Sequence, residues 1–261
     1  MANNTLIGIT NLLATATLKN GTGGGAPALD ETSPYTMAKT QTSDRSSVWK
    51  TADPPSASPL NVDFDLGSNK TVTAAAILGY RTSAGLAASS LKIYSAPSSA
   101  GYVPAAWTLQ GTISSISGNP RDAGVVFSSV SQRYWRFEFT HAGNAWSAGR
   151  LWLGNPTDLG LIHTPGGVDR PFANRLETPQ PNGAIVINAL GDPGRDFSLP
   201  FASQDSSLRD TLQNLHTQTG SIIYVDSEAR FFECIVKGGA VPASRPWNTL
   251  YDLQLELTRL P

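Results

Sequence analysis

Short bursts of alternating apolar and polar residues dominate the first 155 positions. Val62, Phe64 and Leu66 alternate with Asp63 and Asp65, the period of a strand with one face buried. Gly67-Ser68-Asn69 is expected to end that strand. Thr71 to Tyr80 is a run of small and β-branched residues that predicts a buried strand. Leu91, Ile93 and Tyr94 predict another, and Val125-Val126-Phe127 a shorter one. In Arg133–Phe139, residues 133, 135, 137 and 139 alternate with Tyr134, Arg136 and Glu138, a strong strand signal. Leu151-Trp152-Leu153 closes this half. Ahead of it, Leu6 to Leu18 supplies one or two strands. Residues 20–60 read as loop, with a turn at Asn20-Gly21, a bend at Gly23-Gly24-Gly25, and Pro54-Pro55 and Pro59 blocking helix.

The second half is patterned differently. Asn155-Pro156-Thr157-Asp158 punctuates the chain, and the text to Pro181 is loop-like, a linker or an extended arm. Ala184–Leu190 predicts a strand, and Phe197, Leu199 and Phe201 alternate in the next. Leu208, Leu212 and Leu215 then form one apolar stripe at helical spacing, with Asp205 or Ser206 able to cap it and Gly220 beyond its end. Ile222, Tyr224 and Phe231–Val236 predict a hairpin around Asp226–Ala229. The last strand holds Tyr251, Leu253, Leu255 and Leu257 on one face. The fold class is therefore mainly β with one packed helix. Residues 1–155 form a first domain, 156–181 a linker or arm, and 182–261 a second domain.

Composition fits this division. The chain has 261 residues, 40% hydrophobic and 15% charged, enough apolar matter for a core and too little charge for a disordered chain. A net charge of −1 gives no field that would gather nucleic acid or an anionic membrane. Cys234 is the only cysteine, so no intrachain disulfide forms. The start, Met1–Thr5, carries no secretory signal pattern, and the apolar run Ala74–Leu78 is far too short to span a bilayer.

Catalytic chemistry finds little support. His141, His163 and His216 stand in no metal-ligand spacing with one another or with Cys234, and His216 sits where a helix C-terminus favours it. Asp63 and Asp65 share a strand face, but the alternation explains them as the wet side of a sheet. Gly21–Gly25 lacks the residues of a phosphate loop, and no G-x-S-x-G elbow occurs. No catalytic residue, metal or cofactor is predicted. Sugar recognition needs an exposed ring with a few polar groups beside it. Trp146, flanked by Gly143-Asn144 and Ser147, is the best candidate, with Tyr80 and Arg81 as companions. Trp49 and Trp107 are expected in the core, and Arg136 as a stem lying over the sheet.

The order of blocks in the first domain resembles the discoidin-like, galactose-binding-like jelly-roll β-sandwich. The resemblance rests on Asn11-Leu12-Leu13, a Ser/Thr-rich loop ending at Trp49, Asp63–Gly67, Leu91–Ser95, Trp107-Thr108 and Arg133–Phe137. The paired cysteines of many extracellular members are missing, which points away from that branch. Ala148–Gly154 resembles the end of discoidin-like domains in tail proteins of bacterial viruses, and the second half is similar in element order to their tail-tube-like β-sandwich or barrel. That resemblance implies a structural virion protein of the phage tail tip or baseplate, synthesised in the host cytoplasm. It implies a homo-oligomeric ring, commonly a hexamer, joining tail tube and hub to receptor-binding proteins. The alternative is a carbohydrate-binding module that attaches to host-surface glycans. Neither reading involves nucleic acid or membrane insertion.

Overall fold

The computed structural model describes residues 5–19, 34–42, 48–52, 59–82, 90–97, 107–114, 122–140, 145–160, 168–172, 175–179, 185–189, 194–204, 206–218, 220–237, 243–247 and 250–260. Expectations for Asn20–Gly25, Pro54-Pro55, His141 and His163 lie outside them. The chain is mainly β with one helix and divides into two compact units. One holds Gly8–Thr157 with Glu228–Phe231, and the other the remaining residues. The first strand, β1 (Leu6–Gly8), joins the sheet of the second unit, so the expected first domain loses its opening residues.

The first unit contains β2 (Thr17–Lys19), β3 (Trp49–Lys50), β4 (Leu60–Leu78), β5 (Arg81–Thr82), β6 (Ser90–Ala96), β7 (Thr108–Ile113), β8 (Asp122–Thr140), β9 (Trp146–Ala148) and β10 (Arg150–Gly154). Five of them form a sheet in the order β10-β4-β8-β6-β7, with β2 also paired to β4. A second sheet, β3-β9-β5, is small. Val62, Phe64, Val72, Leu91, Ile93, Trp135, Phe137 and Phe139 turn inward from the large sheet. Trp49, Trp146, Ala148 and the 3-10 turns at Leu12–Thr15 and Met37–Gln41 complete the same core, which makes the unit a β-sandwich.

Gly67-Ser68-Asn69 does not end its strand. β4 runs on for 19 residues and stays paired with β8 across register shifts at Asp65/Lys70 and Val72/Ala74. Gly67 takes φ +76°, which a side-chained residue resists, and its N–H donates to Asp65 Oδ1 at 2.8 Å. The turn residues therefore bend a continuous ribbon. Asn11 ties the unit together. Its Oδ1 accepts from the N–H groups of Leu13 and Leu153, each at 3.1 Å, and its Nδ2 donates to the Leu151 carbonyl at 2.9 Å.

The second unit adds β11 (Thr157–Asp158), β12 (Val168–Phe172), β13 (Arg175–Pro179), β14 (Ile185–Ala189), β15 (Gly194–Gln204), α1 (Ser206–His216), β16 (Ile222–Val225), β17 (Phe231–Val236), β18 (Ala243–Trp247) and β19 (Leu250–Arg259). Its main sheet runs β11-β1-β16-β17-β19-β15-β12, with β18 on β19. Leu212 and Leu215 of α1 pack with Phe197, Leu199, Phe201, Leu253, Leu255 and Leu257, the stripes that the sequence pattern identifies. The stretch 156–181, expected as a loop-like arm, instead carries β12 at the sheet edge and β13 paired with β14. Pro171 hides β12 in the sequence but suits an edge strand, where one N–H is not needed. Among the described residues no helix is long and apolar enough to cross a membrane.

Candidate functional site

The expected sugar-contacting rings are inside the protein. Trp146 has no exposed surface and Tyr80 is 3% exposed. Trp146 sits in β9, the middle strand of the small sheet, and packs on Phe139 (ring centroids 5.2 Å apart) and Tyr80 (6.5 Å). Trp49 reaches the same cluster through Phe139 at 5.0 Å. Burial, with the Asp122 carboxylate nearby, pushes the Tyr80 phenol well above its ordinary range. Arg81 starts β5, whose backbone pairs with Ser147 of β9, and its side chain lies outside the description. An exposed ring at Trp146 is thus corrected: a middle strand places its side chains in the core.

The outer face of the large sheet carries the unusual chemistry. Alternation that turns Val62 and Phe64 inward turns Asp63 and Asp65 outward. They are not a wet face. The Asp63 side chain is fully buried and receives both Nε (2.6 Å) and Nη2 (2.8 Å) of Arg136, its direct cross-strand partner. Asp65 receives Nε (2.7 Å) and Nη2 (2.8 Å) of Arg133. Two-pronged pairing of this kind satisfies carboxylate and guanidinium together, which is what permits their burial. The Arg133 hydrogen bonds hold the Asp65 carboxyl below its ordinary range, with the Gly67 N–H adding to the effect and burial opposing it.

Further along the same face, Lys92 Nζ donates to Glu138 Oε1 at 3.0 Å, and Tyr94 Oη donates to the same oxygen at 3.3 Å. Glu138 holds the Lys92 ammonium above its ordinary range. Register puts Lys92 opposite Glu138 and Tyr94 opposite Arg136, so the groups form rows across β4, β8 and β6.

Trp107, expected in the core, also belongs here. The Arg136 guanidinium lies over its ring, 4.3 Å from the centroid, and the residue is half-buried. Leu109 pairs with Tyr94 across β7 and β6, which turns it to the same side, and it is 50% exposed. The face thus combines an indole, an exposed Leu, a phenol, two ion-paired arginines and a lysine. Arg136 is a stem over the sheet, as its sequence position suggests, with its head fixed by Asp63.

Among the described residues no three His, Cys, Asp or Glu side chains stand close enough to hold a metal ion. Asp63 and Asp65 are each locked to an arginine, so neither is available as an acid–base group. Chemically the outer face can bind: it offers donors, a flat ring and apolar surface on one side of the sheet.

No protein-family model and no curated protein matches the chain. Solved structures similar to it include chitosan-binding module 1 from a chitosanase/glucanase of Paenibacillus sp. IK-5, at 17% identity and TM-score 0.42, covering 56% of this chain and 100% of that one. A CBM32 module of AlyQ, in complex with 4,5-unsaturated mannuronic acid, is 19% identical with TM-score 0.38, covering 52% and 92%. CpGH89CBM32-5 from Clostridium perfringens, in complex with GalNAc-β-1,3-galactose, is 12% identical with TM-score 0.41, covering 56% and 100%.

Proposed function

We propose that the first unit is a non-catalytic carbohydrate-binding module whose site is the outer face of its large sheet. The observation that carries this reading is Trp107, half-buried with Arg136 stacked on its ring, on the sheet face that also carries Tyr94, Leu109 and Lys92. Sugar rings present an apolar C–H face and a rim of hydroxyls. A half-exposed indole complements the first, and fixed donors with Glu138 complement the second. Arg136, on which the Trp107 ring lies, is already fixed by Asp63, so ordering that contact costs little freedom on binding. The test is retention on a glycan array by the whole protein and by Trp107→Ala. The reading expects selective retention that Trp107→Ala abolishes. Array signals identical in the two proteins, or none at all, refute it.

The second unit supports a further role in assembly, as the resemblance to tail-tip proteins suggests. Its main sheet has two ends among the described strands, β11 and β12, and exposed sheet edges can pair with a neighbouring subunit. In this reading the chain is a structural part of a phage tail tip or baseplate ring, with the sugar-binding face used at the host surface. Electron microscopy and solution mass of the purified protein on assembled tails test it. Closed rings of uniform subunit number are expected, and a protein absent from purified tails overturns the role.

A further inference from the structure

The outer face of the large sheet is layered by charge. Its carboxylates are sunk: the side chains of Asp63, Asp65 and Glu138 are 0%, 8% and 16% exposed. Its cations stand above them: Arg136, Arg133 and Lys92 are 15%, 30% and 37% exposed. In each of the three pairs the cation is the more exposed partner. A molecule arriving from solvent therefore meets positive charge and N–H donors first. Lys19, opposite Asp63 on β2, adds a further cation beside these pairs.

Donor capacity remains on these groups. Arg133 gives Nε and Nη2 to Asp65, which leaves Nη1 for a ligand. Lys92 carries three N–H protons, of which Glu138 takes one at 3.0 Å and Tyr94 engages another, which leaves one for a ligand. The indole is biased in the same direction. Aromatic faces attract cations through their negative quadrupole, and Arg136 already lies on the Trp107 ring. A second cation at that ring would meet repulsion from the guanidinium, whereas an anion would not.

On the reading that this face binds carbohydrate, we infer that its ligand is an acidic saccharide, one whose sugar carboxylates are received by Lys92 and Arg133 while a ring stacks on Trp107. The Lys92–Glu138 row and the Asp65–Tyr134 row lie four residues apart along β8, roughly 13 Å. That separation fits carboxylates on different residues of an oligosaccharide better than two groups on one sugar. Cationic amino-sugar chains are disfavoured by the same charges.

The experiment is calorimetric titration of the whole protein at low salt with three oligosaccharides: tetragalacturonate, its carboxyl-reduced neutral counterpart, and fully deacetylated chitotetraose. Tetragalacturonate is expected to bind at least about tenfold more tightly than the neutral chain, with the advantage shrinking as salt screens it. Chitotetraose is expected to bind weakest. Lys92→Gln should weaken binding of the acidic chain about fivefold more than binding of the neutral one, as loss of one charge-assisted contact does. Leu109→Glu, at a half-exposed position that the core does not need, should repel the acidic chain selectively and serves where Trp107→Ala or Arg133→Gln disturbs folding. Neutral and acidic chains binding equally, both lost in Trp107→Ala, would overturn the acidic preference and keep the carbohydrate reading. Failure of all three, or binding indifferent to Trp107→Ala, would overturn both. So would equal binding of dextran sulfate that Trp107→Ala does not alter, since that is charge alone.

Discussion

Replacing Asp63 with Asn keeps the shape of the side chain and removes its charge. The carboxylate has no solvent contact, and both of its oxygens are engaged by Arg136, whose own side chain is 15% exposed. The variant leaves a mostly buried guanidinium facing a neutral amide that can accept from it only through one oxygen. Breaking one partner of a buried ion pair costs about 3 to 5 kcal/mol, so we expect roughly 3 kcal/mol for this isosteric change. Removing both charges is different. Asp63→Leu with Arg136→Met avoids desolvating either ion and should return to within about 1 kcal/mol of the parent. Urea unfolding followed by tryptophan emission is the assay. Trp49, Trp107, Trp135, Trp146 and Trp152 lie in the first unit and Trp247 in the second, so emission reports mainly the transition of interest. The midpoint should fall by about 1 to 3 M with an unchanged slope. A loss below about 1 kcal/mol for Asp63→Asn, or a double variant no more stable than the single one, refutes the view that this ladder is a desolvated, mutually dependent pair.

Three shorter predictions follow from other parts of the first unit. Asn11→Ala removes three hydrogen bonds and leaves the Leu13 and Leu153 N–H groups and the Leu151 carbonyl unpaired, which should cost about 2 to 3 kcal/mol in the same urea assay. A protein retaining only Trp146 should emit at short wavelength and resist acrylamide, because the ring has no exposed surface; red-shifted, readily quenched emission would contradict its place in β9. Asp65 is held below its ordinary 3.8 by Arg133, so the folded state binds its proton less readily than the unfolded state. Its contribution is complete above that ordinary value and is lost as pH falls through the lower folded value. Asp65→Asn should therefore flatten the acid limb of stability below about pH 4, read as midpoint against pH.

What the sequence made legible were periods, and periods specify faces. The inward set Val62, Phe64, Trp135, Phe137 and the helix stripe of Leu212 and Leu215 are where alternation and helical spacing put them. Period alone does not say how deeply the opposite face is covered. Asp63 reads as wet until the register sets Arg136 directly across from it, 73 residues later in the chain. The same holds for Trp107. Its side depends on a shift in the β6–β7 register between Ile93 and Tyr94, which no local pattern announces. Trp146 misled in the other direction. Its Gly, Asn and Ser neighbours look like loop, yet three residues of strand between β3 and β5 suffice to bury it.

These failures share a cause that bears on function. Each concerns a polar or aromatic group whose surroundings come from distant strands, and such groups determine what the surface can recognise. Had Asp63 and Asp65 been wet, the outer face would offer exposed carboxylates and prefer cations. Because each is covered by a guanidinium, the sign that a ligand meets is reversed without any change in net composition. The order of depth, acid below and base above, is therefore the property on which ligand preference turns. It also ties stability to recognition. Arg136 is held by Asp63 and in turn lies against Trp107, so loosening the buried pair should loosen the ring. A ligand that stacks on Trp107 should then lose affinity in Asp63→Asn under conditions where the protein is still fully folded. If affinity is untouched in the folded variant, the ring is held by something other than the ladder beneath it.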